Sequence, residues 1–236
     1  MTRHLLRSIL AIAAMLVIDG CDVGATGPEY DPQIDPANFV ASVTNPLFPL
    51  TPGTRWTYRD GNETNTVEVL HTTKTILGIQ ATVVLDRVFE NGQLIEDTFD
   101  WFAQDRDGNV WYLGEDTKEL RNGVVVSTDG SWEAGVDGAK PGIVMWGDPA
   151  AHLNEEYRQE YYQGEAEDWG KVVAVNQSVT VPFGSFAGCV KTEDWNALEG
   201  GRSGSLETKY YCPNIGFTLE ITGGGGRVEL TAFTRP

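Results

Sequence analysis

The sequence predicts an all-β chain, a single antiparallel β domain behind an export signal and a flexible tether. Three observations carry this. Turn dipeptides that supply positive φ recur along the chain, at Asp60-Gly61-Asn62, Asn91-Gly92, Asp107-Gly108-Asn109, Asn122-Gly123 and Asp129-Gly130. Between them lie short runs rich in Val, Ile, Thr, Tyr, Phe and Trp, which suit a pleated sheet. No segment of useful length has the helical period, and only 149–155 reads as a short helix. A turn every roughly 8–15 residues fits a curved sheet, a half-barrel, a closed barrel or a sandwich, and these stay open. The 236 residues suffice for one large β domain with a proper core.

Residues 1–20 come first. Arg3, His4 and Arg7 form a basic start, and the apolar run 8–18 follows. Eleven residues are too few to span a bilayer, where about 20 are needed, so the run reads as a secretory signal. It ends in Ile18-Asp19-Gly20-Cys21. This resembles a bacterial lipobox, which implies acylation of Cys21 and a new N-terminus there; Asp19 departs from the Ala or Ser of the pattern. Asp22 resembles the inner-membrane retention signal of enteric bacteria. Residues 21–44 then read as the tether, with Pro28, Pro32 and Pro36 among Gly, Asp, Glu and Asn. About 20 flexible residues reach about 25 Å. Phe39 and Val40 are the candidates for docking back onto the domain.

The domain occupies 45–236. Its expected strands are 55–59, 66–76, 81–90, 94–103, 110–113 and 124–127, then 156–163, 170–180, 184–195, 206–211, 217–221 and 227–233. Between the two groups, 131–142 is Gly-rich, lacks alternation and yet carries Trp132; it reads as a long structured loop. The strands 184–195 and 206–211 flank a Gly-rich stretch. If Trp195 faces Leu206 across that hairpin, the same register sets Cys189 opposite Cys212. An exported compartment permits disulfides, so this pair is expected to be bridged.

Several segments also carry a resemblance. "NPLFPLTPGTRWTYRD", "EDTFDWFAQDRDGNVWYLGEDTKEL", "GSWEAGVDGAKPGI", "EYRQEYYQGEAEDW", "SVTVPFGSF" and "TKYYCPNIGFTLEI" resemble a group of uncharacterised bacterial exported proteins and lipoproteins. The likeness spans most of 45–221 and implies no particular activity. The ending "KYYCPNIGFTLEI" is also similar to the last strands of curved half-barrels of the lipoprotein-carrier type. That resemblance implies a concave apolar face able to hold acyl chains.

The net charge of −17 argues against nucleic acid and against a basic patch on anionic lipid. The acids are not evenly spread. On a strand, Glu156, Arg158, Glu160 and Tyr162 share one face, so neither face of 156–163 is simply apolar. Together with Glu165, Glu167 and Asp168, Glu160 offers oxygens to a hard cation such as Ca²⁺ or a carboxylate pair to a glycan. A solvated edge strand with Arg158 as a structural ion-pair partner accounts for the same residues. Trp132, Glu133 and Asp137 are the binding candidates of the 131–142 loop. Asp105, Asp107 and Asn109 resemble the start of a calcium loop, but a hairpin turn explains them more simply. His71 and His152 have no Cys or His neighbour in sequence, and no G-x-S-x-G occurs.

These readings combine into a lipid-anchored protein of the bacterial envelope. The favoured role is a non-catalytic binding or interaction module for a cation, a small polar molecule or another envelope protein. An exported hydrolase using the same carboxylates, and a lipid-binding half-barrel, are the alternatives.

Overall fold

The computed structural model describes residues 30–236. These form one antiparallel sheet that closes almost completely into a barrel. The short strand β1 (Phe39–Val40) precedes β2 (Arg55–Asp60), β3 (Glu63–Ile76), β4 (Ile79–Glu90), β5 (Gln93–Asp105) and β6 (Val110–Arg121). Next come β7 (Val124–Ser127), β8 (Trp132–Glu133), β9 (Lys140–Met145), β10 (Glu156–Arg158) and β11 (Glu160–Tyr161). The chain ends with β12 (Asp168–Val181), β13 (Gly184–Asn196), β14 (Glu207–Cys212), β15 (Gly216–Thr222) and β16 (Arg227–Thr234). Sheet order runs β10-β12-β13-β14-β15-β16-β2-β3-β4-β5-β6-β9-β11.

The two ends of that order are consecutive pieces of one segment. Its first half, β10, pairs with β12, and its second half, β11, pairs with β9. The stretch expected as the single strand 156–163 therefore divides at Gln159, whose N–H donates to Asp168 O at 2.9 Å. The division lets one segment bond both free edges and so remove them. The seam is tight: a Cβ on Gly142 would meet the Gln159 carbonyl carbon at 2.3 Å, so only glycine lets β9 approach. At another crossing, a Cβ on Gly114 would meet Trp132 O at 2.3 Å, so only glycine, here at φ +132°, lets β8 pair with β6.

Five expectations change. The tether does not run free to residue 44. Ile34 and Phe39 pack on the core, Val43 is buried, and β1 pairs with β5. Phe39 and Val40 dock as expected, whereas proline and acid content hid Ile34 and Val43. Strand β6 continues eight residues past Leu113, because inward Glu115 and Thr117 made its second half look like a loop. Part of the expected loop, 140–142, opens strand β9, disguised by Pro141-Gly142. A four-residue helix, α1 (Arg202–Ser205), lies in the Gly-rich stretch. The expected short helix is a 3₁₀ turn, Pro149–His152, capped by the Asp148 side chain.

One end of the barrel is covered by the chain itself. Loop residues 43–50 cross that end: Asn45 Nδ2 donates to Gly108 O at 2.9 Å on one wall, and Asn214 N donates to Pro46 O at 2.7 Å on the other. Phe48 then packs edge-on to Phe102, with centroids 5.2 Å apart.

Cys189 and Cys212 are bonded, in the register expected: Val190 faces Tyr211 and Asp194 faces Glu207. The bridge spans 23 positions, for which chain entropy assigns about 3 kcal/mol of stabilisation. The double variant Cys189→Ala/Cys212→Ala is expected to lose about that much in urea unfolding. A loss under about 1 kcal/mol would contradict it.

Candidate functional site

Strands in an open sheet with one wet face alternate apolar and polar. Here the inward rows are themselves polar over half the barrel. Across β4, β5 and β6, Asp86 faces Thr98, Thr98 faces Thr117, and Asp100 faces Glu115. All five are buried. The Asn65 amide donates to Asp86, and the Thr98 and Thr117 hydroxyls are hydrogen-bonded to each other.

The closing segment adds Glu160 to this interior. Trp132 Nε1 donates to Glu160 Oε2 at 2.9 Å. The Trp132 ring stands edge-on to Tyr112, and the Tyr112 hydroxyl donates to Asp100 Oδ1 at 2.8 Å. A continuous line thus joins Glu160, Trp132, Tyr112 and Asp100. Burial pushes the Asp100 carboxyl up to about 7, against the Tyr112 hydrogen bond. Burial also raises Glu115, helped by Asp100, Glu160 and Glu96, and raises Glu160, helped by Asp168. Glu160 and Trp132, both singled out in the sequence, are therefore in direct contact. At 1% exposure, Glu160 is shut off from bulk solvent.

Across the barrel, Lys209 lies 3.3 Å from Glu207, 3.4 Å from Asp194 and 3.8 Å from Glu220. Burial alone would lower its pKa, but Glu207, Asp194 and Glu220 reverse this and hold the ammonium charged. Burial lifts Glu220 to about 8, with Glu207 adding and Lys209 opposing. Gln159 Nε2 reaches Asp194 Oδ2 at 3.3 Å, so the closing segment touches this group too.

Arg158 points the other way, to the outside of the seam. Its guanidinium lies 4.2 Å from the Trp169 ring centroid and 4.8 Å from that of Tyr161, and pairs with Glu167 at 3.5 Å. Trp169 stacks parallel to Trp195, which Arg202 covers at 4.7 Å. This ladder ties β11, β12, β13 and α1 together, which is the structural ion-pair role that the edge-strand account gave Arg158. Glu167 also accepts from Gly164 N, so it is part of a turn. Tyr30 extends the seam: it lies edge-on to Tyr161, and its hydroxyl donates to Pro141 O at 2.8 Å.

The remaining sequence candidates are dispersed. Asp168 is buried opposite Asn196, whereas Glu165 is half-buried in the turn before β12. Glu133 pairs with Lys74 at 2.7 Å, and Asp137 holds a left-handed turn at φ 48° in an exposed loop. Asp105 accepts from the Asp107 and Asn109 amides, from Asn109 Nδ2 and from Trp111 Nε1, all within 3.0 Å. Its oxygens thus lock the turn between β5 and β6. Among the described residues, no three His, Cys, Asp or Glu side chains are grouped to hold a metal ion. Cys21 and the signal lie outside the described residues.

No family model and no curated protein matches this chain. Two solved structures are similar to it. One is a Bacteroides fragilis protein described as exported and of YmcC-like fold, 14% identical, with a TM-score of 0.45. The other is a Parabacteroides distasonis protein described as a lipoprotein, 12% identical, with a TM-score of 0.43. Each alignment covers 80% of this chain and 98% of the other.

Asp86, Asp100, Glu115, Asp194, Lys209 and Glu220 were not singled out from sequence. A signal existed. In β5 the buried positions include Glu96, Thr98 and Asp100, so the alternation is reversed, with polar residues inside and Phe99 only half-buried. Reading polar as outward concealed them.

Proposed function

We propose that this chain is a lipid-anchored protein of the bacterial envelope whose barrel is a non-catalytic binding module for a cationic ligand. The anchor rests on the basic start, the short apolar run and the lipobox-like Ile18-Asp19-Gly20-Cys21. The binding role rests on one observation. Among the described residues, the buried carboxylates of Asp100 and Glu115 face each other across β5 and β6, with Glu160 near enough to raise Glu115 further. Buried carboxylates crowded together in this way take up protons or a counter-cation. A cationic ligand relieves that repulsion, and its charge selects for it over neutral molecules.

Thermal unfolding tests the binding role. The processed protein is titrated with CaCl₂, spermidine and n-butylammonium chloride at fixed ionic strength. At least one cation is expected to raise the melting temperature, with a gain that grows with concentration as linkage requires. No gain from any of the three would overturn the binding role. Intact mass of the protein from its native membrane fraction tests the anchor: an acylated chain beginning at Cys21 is expected, and an unacylated one would overturn it.

A further inference from the structure

The outer wall of the barrel carries a cavity apart from the buried carboxylates. It is half-open, measures about 240 Å³, and forms where the segment 33–39 lies against the end of β5 and the start of β6. That segment supplies Gln33, Ile34, Asp35, Asn38 and Phe39, and the barrel supplies Asp105 and Trp111. On β6, Trp111 alternates with the inward Tyr112, so its ring points outward. Trp111 Nε1 donates to Asp105 Oδ2 at 2.9 Å, and Phe39 stands edge-on to the indole with centroids 6.2 Å apart. The ring is thus held in place before any ligand arrives. The segment is held as well, by the pairing of Phe39 with Asp105 and by Arg106 N donating to Asn38 O at 2.9 Å.

We infer that this cavity binds one ring of a neutral sugar, with a C–H face of the ring against Trp111 and its hydroxyls on Asn38, Gln33 and Asp35. The site goes beyond the cationic-ligand reading, since it lies outside the barrel and uses none of the interior acids. A pyranose has apolar C–H faces and a belt of hydroxyls, each a donor and an acceptor. Ile34, Phe39 and Trp111 offer carbon surface to the first. Gln33, Asp35 and Asn38 are exposed and offer amide donors and acceptors and a carboxylate to the second.

Other ligand classes fit these walls less well. A hard cation needs six or more oxygens, whereas both Asp105 oxygens already accept two hydrogen bonds each. A phosphorylated or acidic ligand would meet Asp35 and Asp105, and none of the lining residues is Lys, Arg or His. An acyl chain would cover the polar groups without pairing them. Size agrees as well: the cavity exceeds the roughly 150 Å³ that accepts benzene but falls below the roughly 300 Å³ of the smallest drug-sized pockets, room for one substituted ring. A rigid aromatic platform whose polar partners are already placed loses little entropy on binding.

Nuclear magnetic resonance of the ¹⁵N-labelled processed protein tests this. The probes are the methyl glycosides of glucose, galactose, mannose and N-acetylglucosamine in both anomers, with sorbitol as a polyol that has no ring face. At least one glycoside is expected to bind with roughly millimolar affinity and to move the Trp111 indole N–H resonance. It is expected to bind at least tenfold more tightly than sorbitol and than the uronate of the same sugar. Trp111→Leu is expected to weaken it at least tenfold. Asn38→Ala changes an exposed side chain, so it keeps the fold if Trp111→Leu does not, and is expected to weaken binding at least threefold. A trisaccharide of the same sugar separates the two sources of such a ring: tighter binding than the glycoside identifies a glycan, and equal binding a single sugar. No shift of the Trp111 resonance by any glycoside, sorbitol binding as tightly as the best of them, or unchanged affinity in the folded variants would each overturn the site.

Discussion

Lys209→Met is expected to cost about 3–5 kcal/mol of stability at pH 8.5, the range for removing one partner from a buried ionic group. The ammonium is nearly inaccessible, at 5% side-chain exposure, and has three carboxylates within 3.8 Å. Removing it leaves their charges in a low-dielectric interior without the cation that lies against all three. Met preserves the length of the stem, so the loss reports charge rather than volume. The cost is expected to shrink as pH falls below about 8, where Glu220 takes up a proton and one of the three charges disappears. Urea unfolding of wild type and variant at pH 8.5 and pH 6 measures this. A loss below about 1 kcal/mol at both values, or an equal loss at both, would contradict it.

The wild-type barrel is expected to be more stable at pH 5 than at pH 8, the reverse of ordinary acid lability. Burial raises Asp100 to about 7 and Glu220 to about 8, and moves Glu115 and Glu160 in the same direction. In the unfolded chain these groups titrate at ordinary carboxylate values near 4. Between about 4 and 8 the native state therefore holds more protons than the unfolded state, and stability falls as pH rises. Each unit of pKa shift is worth about 1.4 kcal/mol, so the loss across the window amounts to several kcal/mol. Lys209 does not cancel this. Its raised pKa contributes stability that is fully present below the ordinary lysine value and is lost only as pH rises through its still higher folded value. Melting temperatures from pH 4.5 to 8.5 at fixed ionic strength test the direction, and a flat or rising curve would contradict it. Asp100→Asn should flatten the slope, since the amide does not titrate.

These two expectations bear on the proposed binding role. An interior that holds protons at acid pH and exchanges them for a cation near neutrality releases protons on binding. Ligand affinity and barrel stability then run in opposite directions with pH, and both can be followed on one sample.

Much of the architecture was legible from residues alone, because its signals are local. Positive-φ dipeptides placed the hairpins at 60–62, 91–92 and 122–123, and β-branched and aromatic runs placed the strands between them. Cys189 and Cys212 could be paired from strand register, since a hairpin fixes every partner once one pair is known. The contact between Trp132 and Glu160 was not legible. They lie 28 positions apart, and the contact exists only where the closing segment meets the far edge of the sheet. Likewise, nothing near Tyr30 in sequence shows that the barrel has a surface for it.

Local signals set most of the strands, the order of their hairpins and the disulfide register, each carried by residues close along the chain or by one short pairing. Closure of the sheet through 156–161, and the inward aim of acids such as Asp86, Asp100 and Glu115, emerge only from long-range pairing. The reason is geometric. The period of a strand says which residues share a face but not which face is inside, and closure, which settles that, depends on two edges meeting in space.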